Sequence, residues 1–187
     1  MTLGELLTGI GQRLAEAGIP YMVTGSVASS FHGTPRATRD VDIVIDPTAS
    51  ALESFVLSLP ADAFYVDLDA ALASLAERSQ FNVVENAGGW KVDLMIRKDR
   101  PFSVEEFSRR QAAELLGTST FVASAEDLVI AKLEWAKAAG SERQLRDVAG
   151  ILAANGELDV SYIERWVAAL DLGELWSQVL TPGGGAG

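Results

Sequence analysis

The sequence predicts an α+β chain, with strands and helices interleaved up to about residue 123 and helices alone after it. Two observations carry this. Before residue 123, stretches of helical spacing alternate with short apolar or strictly alternating runs. From Ala125 onward the texture changes, and 126–139, 142–154, 160–170 and 172–180 all place apolar residues at helical intervals. The expected organisation is a mixed part over 1–123, a helical part over 124–182 and a flexible tail over 183–187. An apolar content of 48% over 187 residues suffices to fill such a core.

Leu3, Leu6, Leu7, Ile10, Leu14 and Ala17 give the first helix, and Gly18 stops it. Tyr21-Met22-Val23-Thr24 is a short apolar run suited to a buried strand. Gly25-Ser26 breaks it, and 27–31 reads as a short helix with Ser26 near its start. His32-Gly33-Thr34-Pro35 is turn-like. Residues 40–46 alternate, with Asp40, Asp42 and Val44 on one face and Val41, Ile43 and Ile45 on the other. Pro47-Thr48 ends that strand. Helical spacing returns over 49–59, a strand is expected over 63–66, and 68–78 is an Ala- and Leu-rich helix. Residues 81–86 and 90–96 form two strands joined by Ala87-Gly88-Gly89, a hairpin loop. A short helix over 103–110 and strand edges around Gly117 complete the mixed part.

Composition excludes several chemistries. Cysteine is absent, so there is no disulfide framework, thiolate metal site or cysteine nucleophile. The single histidine, His32, is too little for a histidine-rich metal site, and no triad partner is recognisable for it. A net charge of −11 argues against a broad nucleic-acid surface, although bound divalent cations can reverse the field locally. No apolar run reaches the length of a membrane span, and Met1-Thr2-Leu3-Gly4-Glu5 lacks the basic start of a signal peptide. A cytoplasmic protein with no membrane partner is expected.

The chemistry concentrates on the acidic strand. Alternation puts Asp40 and Asp42 on one face, with Cα atoms roughly 7 Å apart. Two like charges this close are costly without a cation between them. Magnesium accepts such a setting, because it takes a few carboxylate oxygens together with waters and substrate phosphates. The bland alternative is an edge strand with one wet face. Two further features favour function. Gly25-Ser26 follows a strand and opens a helix, where backbone N–H groups favour phosphate, or where the serine is only a cap. In Lys91-Val92-Asp93-Leu94-Met95-Ile96 one acid interrupts an apolar strand. In a strand beside the first two acids, Asp93 completes three converging carboxylates. The third can take the proton of an acceptor hydroxyl.

These residues resemble the nucleotidyltransferase superfamily of the polymerase-beta type. The string Gly25-Ser26-Val27-Ala28, followed by Gly33-Thr34-Pro35-Arg36-Ala37-Thr38-Arg39-Asp40-Val41-Asp42, resembles its AbiEii-type branch, which includes toxins of bacterial toxin–antitoxin pairs. Glu126-Asp127-Leu128 to Lys132-Leu133, then Arg143-Gln144-Leu145-Arg146-Asp147-Val148, resembles the same branch. The resemblance runs from about 20 to 150, with 50–80 uninformative.

The resemblance implies a small mixed sheet flanked by helices, followed by a helical C-terminal part. It implies transfer of a nucleoside monophosphate from a nucleoside triphosphate, with Mg2+ or Mn2+. Asp40, Asp42 and Asp93 would be the catalytic and metal-binding acids. Gly25, Ser26, Arg39, Lys132 and Asp147 would serve the nucleotide. Read as residues alone, Lys132 on an amphipathic helix can snorkel to solvent, and Asp147 can pair with Arg143 one turn back. Arg36 and Arg39 can reach phosphate bidentately or only balance the acids. The acceptor stays open among RNA, protein and small molecule, and an acidic chain is an unexpected RNA binder. An antitoxin partner protein is a further expectation of the branch. Two rival readings remain: a catalytically silent nucleotide-binding module, and an antitoxin-like interaction protein. For the latter, Trp135, Trp166 and Trp176 supply an interface unless they are core.

Overall fold

A computed structural model of the chain describes residues 1–35 and 37–181. Arg36, one of the two arginines flanking the acids, lies outside the described residues, as does the expected tail at 183–187. The described residues form two compact units. The first holds Met1–Val27 and Ala37–Ala123; the second holds residues 28–35 and those from Ser124 onward.

The first unit is an α+β structure around one seven-stranded mixed sheet. Its strands are β1 (Tyr21–Thr24), β2 (Asp40–Ile45), β3 (Phe64–Tyr65), β4 (Gln80–Glu85), β5 (Lys91–Ile96), β6 (Gln111–Leu115) and β7 (Thr118–Val122), in the spatial order β3-β4-β5-β2-β1-β7-β6. The centre is parallel where β2 meets β5 and antiparallel where β2 meets β1. Helices α1 (Leu3–Glu16), α3 (Ala49–Ser58) and α4 (Leu68–Glu77) flank the sheet, and α5 (Pro101–Ser108) follows β5. The helix starts follow from the capping residues. Thr2 and Glu5 close a reciprocal capping box on α1, while Thr48 and Asp67 accept the early N–H groups of α3 and α4.

The alternation of β2 is realised as read. Val41, Ile43 and Ile45 are buried, while Asp40 is exposed and Asp42 is half-buried. Leu6, Ile10, Leu14, Leu52 and Phe55 from α1 and α3 are fully buried with them. On the opposite face Met22 and Val44 pack with Phe107 of α5 and with Ala123. The β4–β5 turn is held by Glu85, whose buried carboxylate accepts the N–H groups of Ala87 and Gly88.

Two details differ from the sequence reading. The strand edges around Gly117 are a complete hairpin whose first strand begins at Gln111. Its turn residues, Leu116 and Gly117, both have left-handed φ of 53° and 77°, the geometry that matches strand twist. Gln111-Ala112-Ala113-Glu114 has no β-branched or aromatic residue, so only pairing with β7 makes it a strand. Residues 28–35 group with the helical unit rather than with the sheet, because Gly33 lies close against the backbone of Gly150 and Ile151. Asn155 also donates to the His32 carbonyl at 2.6 Å.

In the second unit α6 (Ala125–Ala139) is surrounded by α7 (Glu142–Ala154), α8 (Val160–Ala169) and α9 (Gly173–Leu180). Ser124 caps α6 and donates to the buried carboxylate of Asp127, which also accepts from the Tyr162 hydroxyl. Trp166 and Trp176 are buried, whereas Trp135 is 57% exposed and belongs to no core. Among the described residues, no helix is long and apolar enough to cross a membrane.

The fully buried face of β2 is what holds its acids in place. Ile43→Ala is expected to destabilise the protein by about 2–5 kcal/mol, read as a lowered midpoint in urea unfolding.

Candidate active site

The parallel pairing of β2 with β5 brings the strand acids together. In register, Asp40 stands beside Lys91 and Asp42 beside Asp93. Paired residues on neighbouring strands share a face about 4.8 Å apart. Thr24 of β1 and Asn82 of β4 extend the same row, giving Thr24, Asp42, Asp93 and Asn82 across four strands. The third aspartate of the β2 segment, Asp46, is sorted away from them. It lies beyond the strand end and pairs with Arg97 at 3.0 Å and Arg78 at 3.7 Å.

Gly25 follows Thr24 directly and has φ +62°. A Cβ on it would lie 1.9 Å from Asp42 Oδ2 and 2.7 Å from Asp42 Cβ. The bare backbone of the Gly-Ser turn is therefore pressed against the Asp42 carboxylate. Glycine answers two demands here: the left-handed backbone and the missing side chain. Helix α2 (Gly25–His32) opens at this glycine, with Ser26 as its second residue.

Asp93 is 9% exposed, and its charge is met by Lys91. The ammonium donates to Oδ2 at 3.1 Å and stands 2.9 Å from Oδ1, an oxygen that is buried and accepts no hydrogen bond. The hydrogen bond to Asp93 is the main reason that Lys91 is held above the ordinary lysine range. Desolvation opposes it, and the negative charges of Asp93, Asp40 and Asp42 add to it. Lys91 is therefore charged throughout the neutral range. Among the described residues no three acidic or histidine side chains are gathered into a ready metal cage. The donor set is still of the right kind for a hard divalent cation, since it consists of carboxylate oxygens, one of them buried without a hydrogen bond.

The remaining candidates divide by unit. Arg39 is exposed, and its backbone carbonyl accepts from Lys91 N at 3.2 Å, continuing the β2–β5 ladder. In the second unit Lys132 is 4% exposed, so it does not snorkel to solvent. It donates to Asp147 at 2.7 Å and to Gln144 at 2.9 Å, linking α6 to α7. Asp147 thus pairs across helices with Lys132. It also lines a cavity of about 260 Å³ with Ser29, Thr34, Arg146 and Gly150. Sequence reasoning gave no role to Ser29, Thr34 and Arg146: Ser29 and Thr34 are distant from Asp147 in the chain, and Arg146, its neighbour, is ordinary in type. It also passed over Lys91, although the spacing of two that puts Lys91 and Asp93 on one strand face was legible.

No family model and no curated protein matches the sequence. Solved structures do match along most of the chain. The fold is nucleotidyltransferase-like. An antigenic nucleotidyltransferase-like protein from Paracoccidioides brasiliensis is similar with a TM-score of 0.58, at 18% identity over 92% of this chain and 91% of that one. The lincosamide antibiotic adenylyltransferase LnuA, solved with lincomycin bound, is similar with a TM-score of 0.57. Its identity is 13% over 83% of this chain and 99% of that one. The antibiotic-resistance factor ANT(2'')-Ia is similar with a TM-score of 0.56, at 13% identity over 94% and 97% of the two chains.

Two stability predictions follow from these contacts. Gly25→Ala is expected to cost about 1–3 kcal/mol through the left-handed backbone and the collision with Asp42. By contrast Gly9→Ala, on open helix surface, is expected to gain about 0.5–1 kcal/mol. Chemical denaturation of the two variants gives the comparison. For the buried ion pair, Lys132→Met or Asp147→Leu alone is expected to cost about 3–5 kcal/mol, and the double variant less than either. A double-mutant cycle in urea measures this.

Proposed function

We propose that the chain is a metal-dependent nucleotidyltransferase that moves a nucleoside monophosphate from a nucleoside triphosphate to an acceptor hydroxyl. The observation that carries this reading is the register of Asp42 beside Asp93, with Asp40 on the same face and the Gly25 backbone against the Asp42 carboxylate. The fold likeness to an adenylyltransferase supports it.

In this reading Asp40, Asp42 and Asp93 hold Mg2+ or Mn2+ through carboxylate oxygens. When bound there, such a cation would supply charge neutralisation at the triphosphate. Gly25 and Ser26 present the bare backbone of a helix start to phosphate, where N–H groups stabilise anions without a side chain in the way. Asp93 takes the proton of the acceptor hydroxyl, which sharpens the oxygen as a nucleophile. Arg39 serves phosphate as a planar, permanently charged donor. Lys132 and Asp147 are assigned to the nucleotide on the resemblance of 126–148, and Asp147 lines a cavity within the helical unit.

The resemblance of 25–42 and of 126–148 to the AbiEii-type branch extends the proposal to a toxin of a toxin–antitoxin pair. The acceptor is then a cellular hydroxyl on RNA, protein or a small molecule, and a partner protein restrains the enzyme.

Incubating the chain with each α-labelled nucleoside triphosphate, magnesium and a cell extract is expected to label an acceptor. Asp42→Asn is expected to lower the rate about 100- to 1000-fold, since several kcal/mol of transition-state stabilisation is removed. Labelling that is absent with all four nucleotides, or equal in Asp42→Asn, would overturn the proposal. Growth arrest on expression of the wild type but not of Asp42→Asn tests the toxin extension separately.

A further inference from the structure

Lys91 has no part in the reading above, yet it forms an ion pair with the third acid. It leaves β5 in register with Asp40, reaches along its own strand to both oxygens of Asp93, and is 40% exposed along its side chain. Three carboxylates on one sheet face need positive charge in every state of the protein, with or without a divalent cation. Among the described residues Asp93 Oδ1 accepts no hydrogen bond, and the Lys91 ammonium stands 2.9 Å from it. A long, half-exposed side chain can leave such a contact at little cost, because its stem has open rotamers and its head has water to enter.

We infer that Lys91 is an internal counter-cation. It neutralises the acid face in the cation-free protein and gives up Asp93 when a divalent cation binds. Lys91 is then a positioning residue: it holds the Asp93 carboxylate in place, and it sets a threshold for cation binding by competing for the same oxygens. This rests on the reading of the acids as a cation site and adds to it a competitor supplied by the chain itself. Exchange of one cation for another also explains how the strand acids avoid mutual repulsion without being gathered into a cage in advance.

The test is direct Mn2+ binding to the full chain, read as loss of the free-ion signal in electron paramagnetic resonance, with no nucleotide present. Lys91→Met is expected to tighten Mn2+ binding about 3- to 10-fold, the scale of one partly exposed ion pair. Lys91→Gln is expected to move in the same direction, which keeps the test decisive if one variant folds poorly. Lys91→Arg is expected to hold affinity at or below the wild-type value. Lys98→Met is the charge-matched control, because Lys98 is exposed and lies past the end of β5. It is expected to change affinity less than about 2-fold, as screened distant charges do. Unchanged or weaker binding in both Lys91→Met and Lys91→Gln overturns the inference, as does equal tightening in Lys98→Met. Asp42→Asn separates this failure from that of the cation site itself. If Asp42→Asn binds Mn2+ like the wild type, the acids are not the site and both readings fall. If it loses binding while the Lys91 variants stay unchanged, only the counter-cation falls.

Discussion

Everything proposed for this protein depends on one pairing, the parallel ladder between β2 and β5. It is what sets Asp42 beside Asp93 and Asp40 beside Lys91. A slip of one residue would turn Asp93 to the buried face and bring Val92 or Leu94 beside Asp42. The register is guarded by apolar residues on the other face: Val41, Ile43 and Ile45 on β2, and Val92, Leu94 and Ile96 on β5, are all buried. The charged face is therefore specified by the greasy one. Arg97, donating to Asp46 past the far end of the ladder, fastens the same two segments a second time.

The acid face was legible in the sequence because its signal is local. Strict alternation over 40–46 fixes which side chains share a face, and a single acid in an apolar run at 91–96 marks a second such strand. That the two strands are neighbours was carried by the family resemblance and not by periodicity, since β2 and β5 are separated by two helices and two strands. The close fit of Gly25 to Asp42 was half legible. A Gly-Ser turn after a strand is readable, but the side chain it approaches comes from another strand.

What escaped the sequence was everything decided by packing at a distance. Asp147 has Arg143 one turn away, the pairing any helix rule would choose, yet the structure pairs it with Lys132 on a neighbouring helix. A buried ammonium left without that carboxylate would be costly, whereas a surface pair one turn apart contributes a few tenths of a kcal/mol. The grouping of 28–35 with the helical unit is of the same kind. It rests on the absence of a side chain at Gly33 against the α7 backbone, and no pattern within 28–35 announces it. Tryptophan shows the limit of composition: three on helices looked equivalent, and burial separates Trp135 from the other two.

The sheet order carries one more consequence. Its rims are β3, of two residues, and β6, whose Gln111, Ala112 and Glu114 are exposed. A sheet rim is a row of unpaired amides open to any passing extended chain, and long apolar rims are how native proteins seed fibres. Here one rim is too short to template a partner and the other is polar and acid-bearing. The strongly apolar strands, β1, β2 and β5, all sit inside. The sheet thus stops growing at its own boundaries.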